Sequence, residues 1–215
     1  MPATLASSPQ QTDQRFVLHG MNWAFYDFLL KSLADRHIFV TYDRGSLELM
    51  SPSPAHERYK IALRRIIETV AFELRIQTKS RGSTTFRRED LERGLEPDEC
   101  YYIKSASLLN DVSEFDPQRH PAPDLAVEID VTTSALDRQA VYAALGVAEL
   151  WRYDGRRLRV YHLKRGAYKL CGRSLSFPFL PLREVERFLA LSQHADEWEW
   201  LRSFQQWVRE NLKRS

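Results

Sequence analysis

The sequence has few cysteines and no long apolar segment, and both absences exclude classes of protein. Its only cysteines, Cys100 and Cys171, cannot supply a zinc site with CxxC spacing, and they fit a reducing compartment. No apolar run reaches the length of a transmembrane helix, and residues 1–14 lack the apolar segment of a signal peptide. We therefore expect a cytoplasmic protein that has no membrane partner.

The composition is that of a soluble globular protein, with 43% hydrophobic and 28% charged residues in a chain of 215. This length predicts one domain with appended elements. Residues 1–14, rich in Ser, Pro, Gln and Thr, are predicted to form a disordered leader. The domain should span residues 15–190, and residues 191–215 should carry an amphipathic helix that packs on the domain or at a dimer interface.

The most informative stretch is Pro123 to Asp130, in which apolar and acidic side chains alternate. Side chains of a strand point to opposite faces in turn, so one face can join a core while the other aligns Asp124, Glu128 and Asp130. Neighbouring carboxylates repel one another unless a cation or a proton lies between them. The pattern therefore predicts a divalent metal site, and the alternative is an antiparallel strand with a solvated acidic face.

Basic residues concentrate in two segments, 60–88 and 152–169, although the net charge of the chain is only +2. If both segments border the acidic strand, they could hold a polyanion while its phosphate meets the metal. The alternative is that they are ordinary charged surfaces of helices and hairpins.

The order of predicted elements favours an α+β fold, an α/β/α layer sandwich. Apolar spacing predicts a long helix over residues 55–77, with His56 and Glu57 in its first turn. Glu57 is explained by the helix dipole, whereas His56 has no such explanation, so a functional role for either stays open. Other predicted elements are strands over 15–19, 38–42, 46–50, 82–88, 96–103, 150–153 and 158–163, and helices over 23–33, 136–145 and 197–212.

Four segments together resemble the Uma2 (DUF820) family, especially its cyanobacterial branch. They read GSTTFRRED from Gly82, EPDEC from Glu96, APDLAVEID from Ala122 and YAALGVAELWRYD from Tyr142. The resemblance covers about residues 15–190. It implies a nuclease-like fold of the PD-(D/E)XK superfamily, also called restriction endonuclease-like, with a core of order αβββαβ and a mixed sheet.

The resemblance also implies a site. The family's Asp corresponds to Asp98 and its Glu to Glu128, which would hold Mg²⁺, or Mn²⁺ in its place, with the Ile129 carbonyl as a further metal ligand. Asp130 is either a ligand that recruits a second metal or a residue that faces solvent. Asp124 is either a loop cap or a ligand. His56, in the first turn of the long helix, is a further catalytic candidate.

One position departs from the superfamily pattern, because Asp130 stands where a Lys is usual two residues after the Glu. Family members commonly carry a Lys on the following helix, where this chain has Arg138. An arginine can stabilise negative charge, but it stays protonated and cannot act as a base.

The implied activity is hydrolysis of DNA phosphodiester bonds by a metal-activated water, with double-stranded DNA as the partner and a homodimer as the favoured assembly. The alternative is a catalytically weak relative that binds nucleic acid or a protein.

Overall fold

The computed structural model describes residues 12–34, 36–110, 115–117 and 119–212 of the chain. Among these residues the strands are β1 Gln14–His19, β2 Phe39–Asp43, β3 Ser46–Ser51, β4 Lys79–Ser80, β5 Phe86–Arg88, β6 Arg93–Leu95, β7 Glu99–Tyr102, β8 Leu125–Ile129, β9 Glu149–Tyr153, β10 Leu158–Lys164 and β11 Ala167–Cys171. The α-helices are α1 Trp23–Ser32, α2 Pro54–Glu73, α3 Arg138–Leu145, α4 Leu182–Leu191 and α5 Glu197–Asn211. No helix in this part of the chain is long and apolar enough to cross a membrane.

The central sheet has six strands in the order β11-β10-β9-β8-β7-β4. Strand β7 is antiparallel to β4 and β8, whereas β8 and β9 are parallel and are joined through α3. The sheet is therefore mixed, and the order α2, β4, β7, β8, α3, β9 follows the expected αβββαβ core. The predicted α+β fold class is confirmed.

Strand β8 alternates as its sequence predicts, but both of its faces are buried. Leu125, Val127 and Ile129 pack in the large core beneath α2, while Ala126 packs with Val141 of α3. The alternative of a solvated acidic face is wrong, because α3 and a second sheet cover that side and leave Glu128 only 5% exposed. A central strand that is covered on both faces is fully buried.

The second sheet has five strands in the order β1-β3-β2-β6-β5. It reaches the central sheet next to α3, where Leu95 of β6 joins Val141 and Leu150 in one apolar cluster. Glu48 of β3 accepts hydrogen bonds from the Ser134 hydroxyl at 2.8 Å and the Ala135 N–H at 2.8 Å. The segment before α3 is thus fixed between the two sheets.

The C-terminal helices pack on the α2 side of the central sheet. Trp200, Phe204 and Val208 of α5 are buried in the large core, and the Trp200 indole donates to the Phe188 carbonyl of α4 at 2.8 Å. The predicted amphipathic stripe therefore docks on the domain itself.

Several element boundaries differ from prediction. Of the predicted leader, residues 1–11 lie outside the described residues, Asp13 is buried at 5% exposure, and Gln14 begins β1. The strand predicted over residues 82–88 is shorter, because Gly82 adopts a left-handed turn conformation with φ 54° and β5 begins at Phe86. The strands β4, β6 and β11 and the helix α4 were not predicted.

Candidate active site

Asp98 and Glu128 lie near each other on neighbouring segments of the central sheet. Asp98 directly precedes β7, whose register with β8 ends at the pair Glu99 and Val127, and Glu128 is the next residue of β8. The Asp98 N–H donates to the Val127 carbonyl at 3.2 Å, and the Asp98 carboxylate accepts the Ile129 N–H at 2.6 Å. Asp98 is thus held against the backbone on both sides of Glu128, near enough for its charge to raise the pKa of the Glu128 carboxyl.

Asp98 is buried at 1% exposure and is held through both of its oxygens. Oδ1 lies 2.9 Å from Nε2 of His56, and Oδ2 accepts the Ile129 N–H at 2.6 Å. Burial alone would raise the pKa of this carboxyl, but the hydrogen bond and positive charge of His56 outweigh it, so the pKa lies below its ordinary value. Asp98 is thus a fixed carboxylate.

His56 joins Asp98 to a second acid. It lies in the first turn of α2, at 0% exposure, where its N–H donates to the Ser53 side chain that caps the helix at 3.2 Å. Its Nδ1 lies 3.3 Å from Oδ2 of Asp13. Burial opposes charge on this ring, but the hydrogen bonds with Asp13 and Asp98 prevail and raise its pKa to about 10. His56 is therefore an imidazolium between two carboxylates.

Glu128 is paired with residues of α3. Its Oε1 accepts a hydrogen bond from the Arg138 guanidinium at 2.6 Å and another from the Tyr142 hydroxyl. Burial raises the pKa of Glu128 to about 7; the Arg138 charge opposes this shift, and the Asp98 and Asp130 carboxylates add to it. Glu128 therefore holds a proton more readily than an exposed glutamate does, chiefly because it is buried.

Arg138 reaches the acidic pair from the first position of α3. One of its nitrogens donates to the Glu96 carbonyl at 2.8 Å as well as to Glu128, and the other donates to the Thr41 hydroxyl of β2. Its Nε is buried and has no hydrogen-bond partner among the described residues. The structure thus places a cation where the sequence predicted one, and it leaves one donor of that cation unused.

The remaining metal-ligand candidates, Asp130, Ile129 and Asp124, bond to other partners. Asp130 accepts a hydrogen bond from Nε of Arg152 at 2.6 Å, and Ile129 contacts Asp98 through its N–H. Asp124 caps the turn after β7, where its carboxylate accepts the N–H groups of Ile103 at 2.7 Å and Ser105 at 3.0 Å. For Asp124 the structure supports the cap rather than the ligand.

The two basic segments differ in position. In the first, Arg64 and Arg65 lie on α2, across the sheet from Glu128, and pair with Glu68 and Glu197. These two arginines therefore do not contact the acidic pair. The second segment borders this pair, because Arg152 of β9 pairs in register with Glu128.

Sequence reasoning missed Asp13 and the role of Tyr142. The position of Tyr142, four residues after Arg138, could have shown it, because side chains at this spacing lie on the same side of a helix. Nothing in the sequence indicated Asp13, which precedes β1.

Asp98 and Glu128 are the candidate ligands of a divalent cation, which needs oxygen donors. In the described part of the chain, no group of three or more His, Cys, Asp or Glu side chains could hold a metal ion. Asp98 and Glu128 nevertheless supply neighbouring hard oxygen donors, and Mg²⁺ is commonly held by one or two carboxylates, with water and phosphate oxygens completing its shell. The chemistry of the pair therefore fits such an ion.

Comparison with known proteins identifies relatives. The family model described as "Uma2: Putative restriction endonuclease" matches residues 25–192. The structure is similar to a crystal structure of a "putative nuclease belonging to DUF820 from Anabaena variabilis ATCC 29413", with a TM-score of 0.46, 14% identity, and coverage of 77% of this chain and 90% of that chain. No match is found among curated proteins. Because the family model covers most of the sequence, the chain belongs to the Uma2 family of restriction endonuclease-like proteins.

Proposed function

We propose that the protein is a Mg²⁺-dependent endonuclease that hydrolyses phosphodiester bonds of DNA. The observation that carries this proposal is the proximity of Asp98 and Glu128, since Asp98 bonds the backbone on both sides of Glu128, with the Arg138 guanidinium 2.6 Å from Glu128. Membership of a family described as restriction endonucleases supports the same reaction class.

Asp98 and Glu128 are the residues that would hold the metal, with the Ile129 carbonyl and Asp130 as further ligands and Mn²⁺ as a substitute. When bound, the ion supplies a nucleophile by lowering the pKa of its water, and it polarises the phosphate. His56 holds Oδ1 of Asp98 at 2.9 Å, so this histidine would act as a positioning residue for Asp98.

Arg138 would stabilise the transferring phosphate. A guanidinium remains charged at every working pH, and its five N–H groups suit the oxygens of a phosphate. Nε of Arg138 is buried and has no hydrogen-bond partner in the part of the chain that the structure describes. Because buried polar groups normally form hydrogen bonds, this nitrogen would donate to a ligand oxygen. The Tyr142 hydroxyl contacts the same Glu128 oxygen and orients the carboxylate.

A second candidate is a protein of nuclease fold that binds nucleic acid or a protein partner without efficient cleavage. It is favoured by the cations already placed on the acids, His56 on Asp98 and Arg138 on Glu128. It is also favoured by Asp130 in the position where the superfamily has a Lys.

Plasmid nicking by the wild type, Glu128→Gln and Asp98→Asn, in Mg²⁺, Mn²⁺ or EDTA, tests the proposal. Metal-dependent nicking by the wild type should fall at least ~10²-fold in either variant, comparable to losing one preorganised catalytic group. Metal titration by calorimetry should show binding to the wild type that Glu128→Gln weakens. Equal nicking by all three proteins would assign the activity to a contaminant.

We further propose double-stranded DNA as the substrate, a homodimer as the assembly and the cytoplasm as the location. A duplex offers two strands to two sites, and the two free cysteines fit a reducing compartment. Sedimentation of the purified protein tests the dimer.

A further inference from the structure

Three charged side chains form one row across the central sheet. Glu128 pairs with Arg152 of β9, and Arg152 pairs with Arg159 of β10. Directly paired residues project from the same face, and neighbouring strands lie about 4.8 Å apart. The row therefore passes from one acid to two arginines within about two strand spacings.

Exposure increases along this row. The side chain of Glu128 is 6% exposed, that of Arg152 is 29% exposed and that of Arg159 is 46% exposed. The two arginines thus connect the buried acidic pair with the solvent. A ligand that reaches Glu128 along this face would pass over both guanidinium groups.

Each arginine is oriented by one acid. Nε of Arg152 donates to Asp130 at 2.6 Å, and a terminal nitrogen of Arg159 donates to Asp154 at 2.6 Å. Asp154 is itself fixed, since it accepts the N–H groups of Arg156 at 2.9 Å and Arg157 at 2.8 Å. A guanidinium has five N–H groups, so a single contact of this kind leaves donors for a phosphate oxygen.

An open groove adjoins Arg159 at the edge of the sheet, between the start of β10 and α4. Strand β11 ends at Cys171, opposite Val160 of β10, so among the described residues only β9 pairs with Leu158 and Arg159. The groove has a volume of about 460 Å³, and its lining includes Arg157, Arg159 and Arg183 beside apolar residues of β10, β11 and α4. Glu186 is its acidic residue, and it pairs with Arg157 at 3.3 Å.

We propose that Arg152, Arg159 and the groove beside Arg159 form a binding track for the phosphodiester backbone of a nucleic acid. This inference rests on the proposed function, because the track leads to Glu128 and would deliver a phosphate to it. Contacts to the phosphates of a nucleic acid depend on charge and not on base sequence. Arginines that are oriented by ion pairs can supply such contacts.

The competing explanation is that these arginines serve only their ion pairs. Arg209 of α5 provides a matched control, because it is a similarly exposed arginine, 59% against 46%, and it pairs with Glu73 at 2.8 Å on the other side of the sheet. A general effect of removing one surface arginine should be equal in Arg159→Ala and Arg209→Ala.

Fluorescence anisotropy of a labelled DNA duplex, and of an RNA duplex of the same sequence, measures binding in EDTA over a series of salt concentrations. Arg159→Ala should weaken binding about 10-fold at low salt and reduce the slope of log K against log salt by about one. Arg159→Lys should recover most of the affinity, whereas Arg209→Ala should bind as the wild type does. Tighter binding of one duplex shows whether the track prefers the backbone of DNA or that of RNA.

Two results would overturn the track: equal affinities of Arg159→Ala, Arg209→Ala and the wild type, or no binding of either duplex by the wild type at low salt. The proposed function fails separately. If the wild type never nicks DNA but its binding depends on Arg159, the track stands and the hydrolytic activity does not. If nicking depends on Glu128 while binding ignores Arg159, the activity stands and the track does not.

Discussion

The two faces of the central sheet use the same strands for opposite purposes. Toward α2, Leu125, Val127, Ile129 and Trp151 are apolar and at most 1% exposed. Toward α3, at the carboxyl end of β8, the corresponding positions carry Glu128 and its partners. Apolar burial stabilises the first face in proportion to its area, whereas burial of charge on the second is costly unless each charge is paired.

This difference separates residues that hold the fold from residues that are suited to chemistry. A carboxylate, an arginine and a tyrosine packed together contribute little net stability compared with apolar residues of the same volume. Their presence at this end of the sheet is therefore not explained by stability, and it agrees with the proposed function. Variants of the two faces should accordingly affect different measurements.

The largest effect is expected from Arg138→Ala, which leaves Glu128 buried without its cation. Loss of one partner of a buried ion pair costs on the order of 3–5 kcal/mol of unfolding free energy. The nicking rate of the remaining folded protein should also fall about 10²-fold. Urea unfolding and plasmid nicking measure the two losses.

Arg138→Lys is the matched variant for this position. A compact ammonium keeps the charge, and it is the group that the resemblance places on this helix, so nicking should be kept or raised. If Arg138→Ala nicks as fast as the wild type while Glu128→Gln is inactive, Arg138 has no catalytic role.

On the apolar face, Leu125→Ala should reduce stability without affecting the chemistry. Leu125 is 0% exposed in the large core, and truncating a buried leucine costs about 2–5 kcal/mol. Nicking per folded molecule should stay within about two-fold of the wild type. A specific loss of activity as large as that of Arg138→Ala would show that the two faces are not functionally separate.

Stability should also depend on pH through His56. Its pKa is about 10 in the fold against an ordinary 6.5, so its stabilising contribution is complete below pH 6.5 and is lost as the pH rises through 10. The free energy of unfolding of the wild type, relative to that of His56→Asn, should fall over this range. Denaturant unfolding in EDTA at a series of pH values tests this.

Glu128 provides a control with a different pH range. Its pKa is raised from 4.5 to about 7, so its contribution is complete below pH 4.5 and is lost as the pH rises through 7. Glu128→Gln should therefore flatten the acidic part of the profile and leave the His56 part. A wild-type profile that matches His56→Asn above pH 7 would show that the buried imidazolium does not form.

Much of the core could be predicted from the sequence because local patterns determine it. The alternation in β8, the apolar spacing of α2, and the glycine at the end of α3 agree with the structure, in which Gly146 adopts a φ of 81°. Each of these signals depends on neighbouring residues and ordinary strand or helix geometry. The choice of Asp98 and Glu128 as a site came from the family resemblance rather than from a local pattern, and their role stays a prediction.

The remaining features depend on contacts between distant parts of the chain. Asp13 and His56 are separated by 43 positions, and the pairing of Glu48 with the segment before α3 spans 86 or more. No local pattern encodes such contacts. The burial of the acidic face was also unpredictable, because the five-stranded sheet that covers it is assembled from strands before and after α2.

The smallest effect is expected from Arg209→Ala, on the α2 side of the molecule. This residue makes the same kind of ion pair as Arg138, with Glu73 at 2.8 Å, but its side chain is 59% exposed. In water the attraction is screened and the ordering of long side chains offsets it, so exposed pairs contribute little. The denaturant midpoint and the nicking rate should both match those of the wild type. A destabilisation as large as that of Arg138→Ala would mean that burial does not set the cost of losing an ion pair in this protein, and the contrast between the two faces would then need another cause.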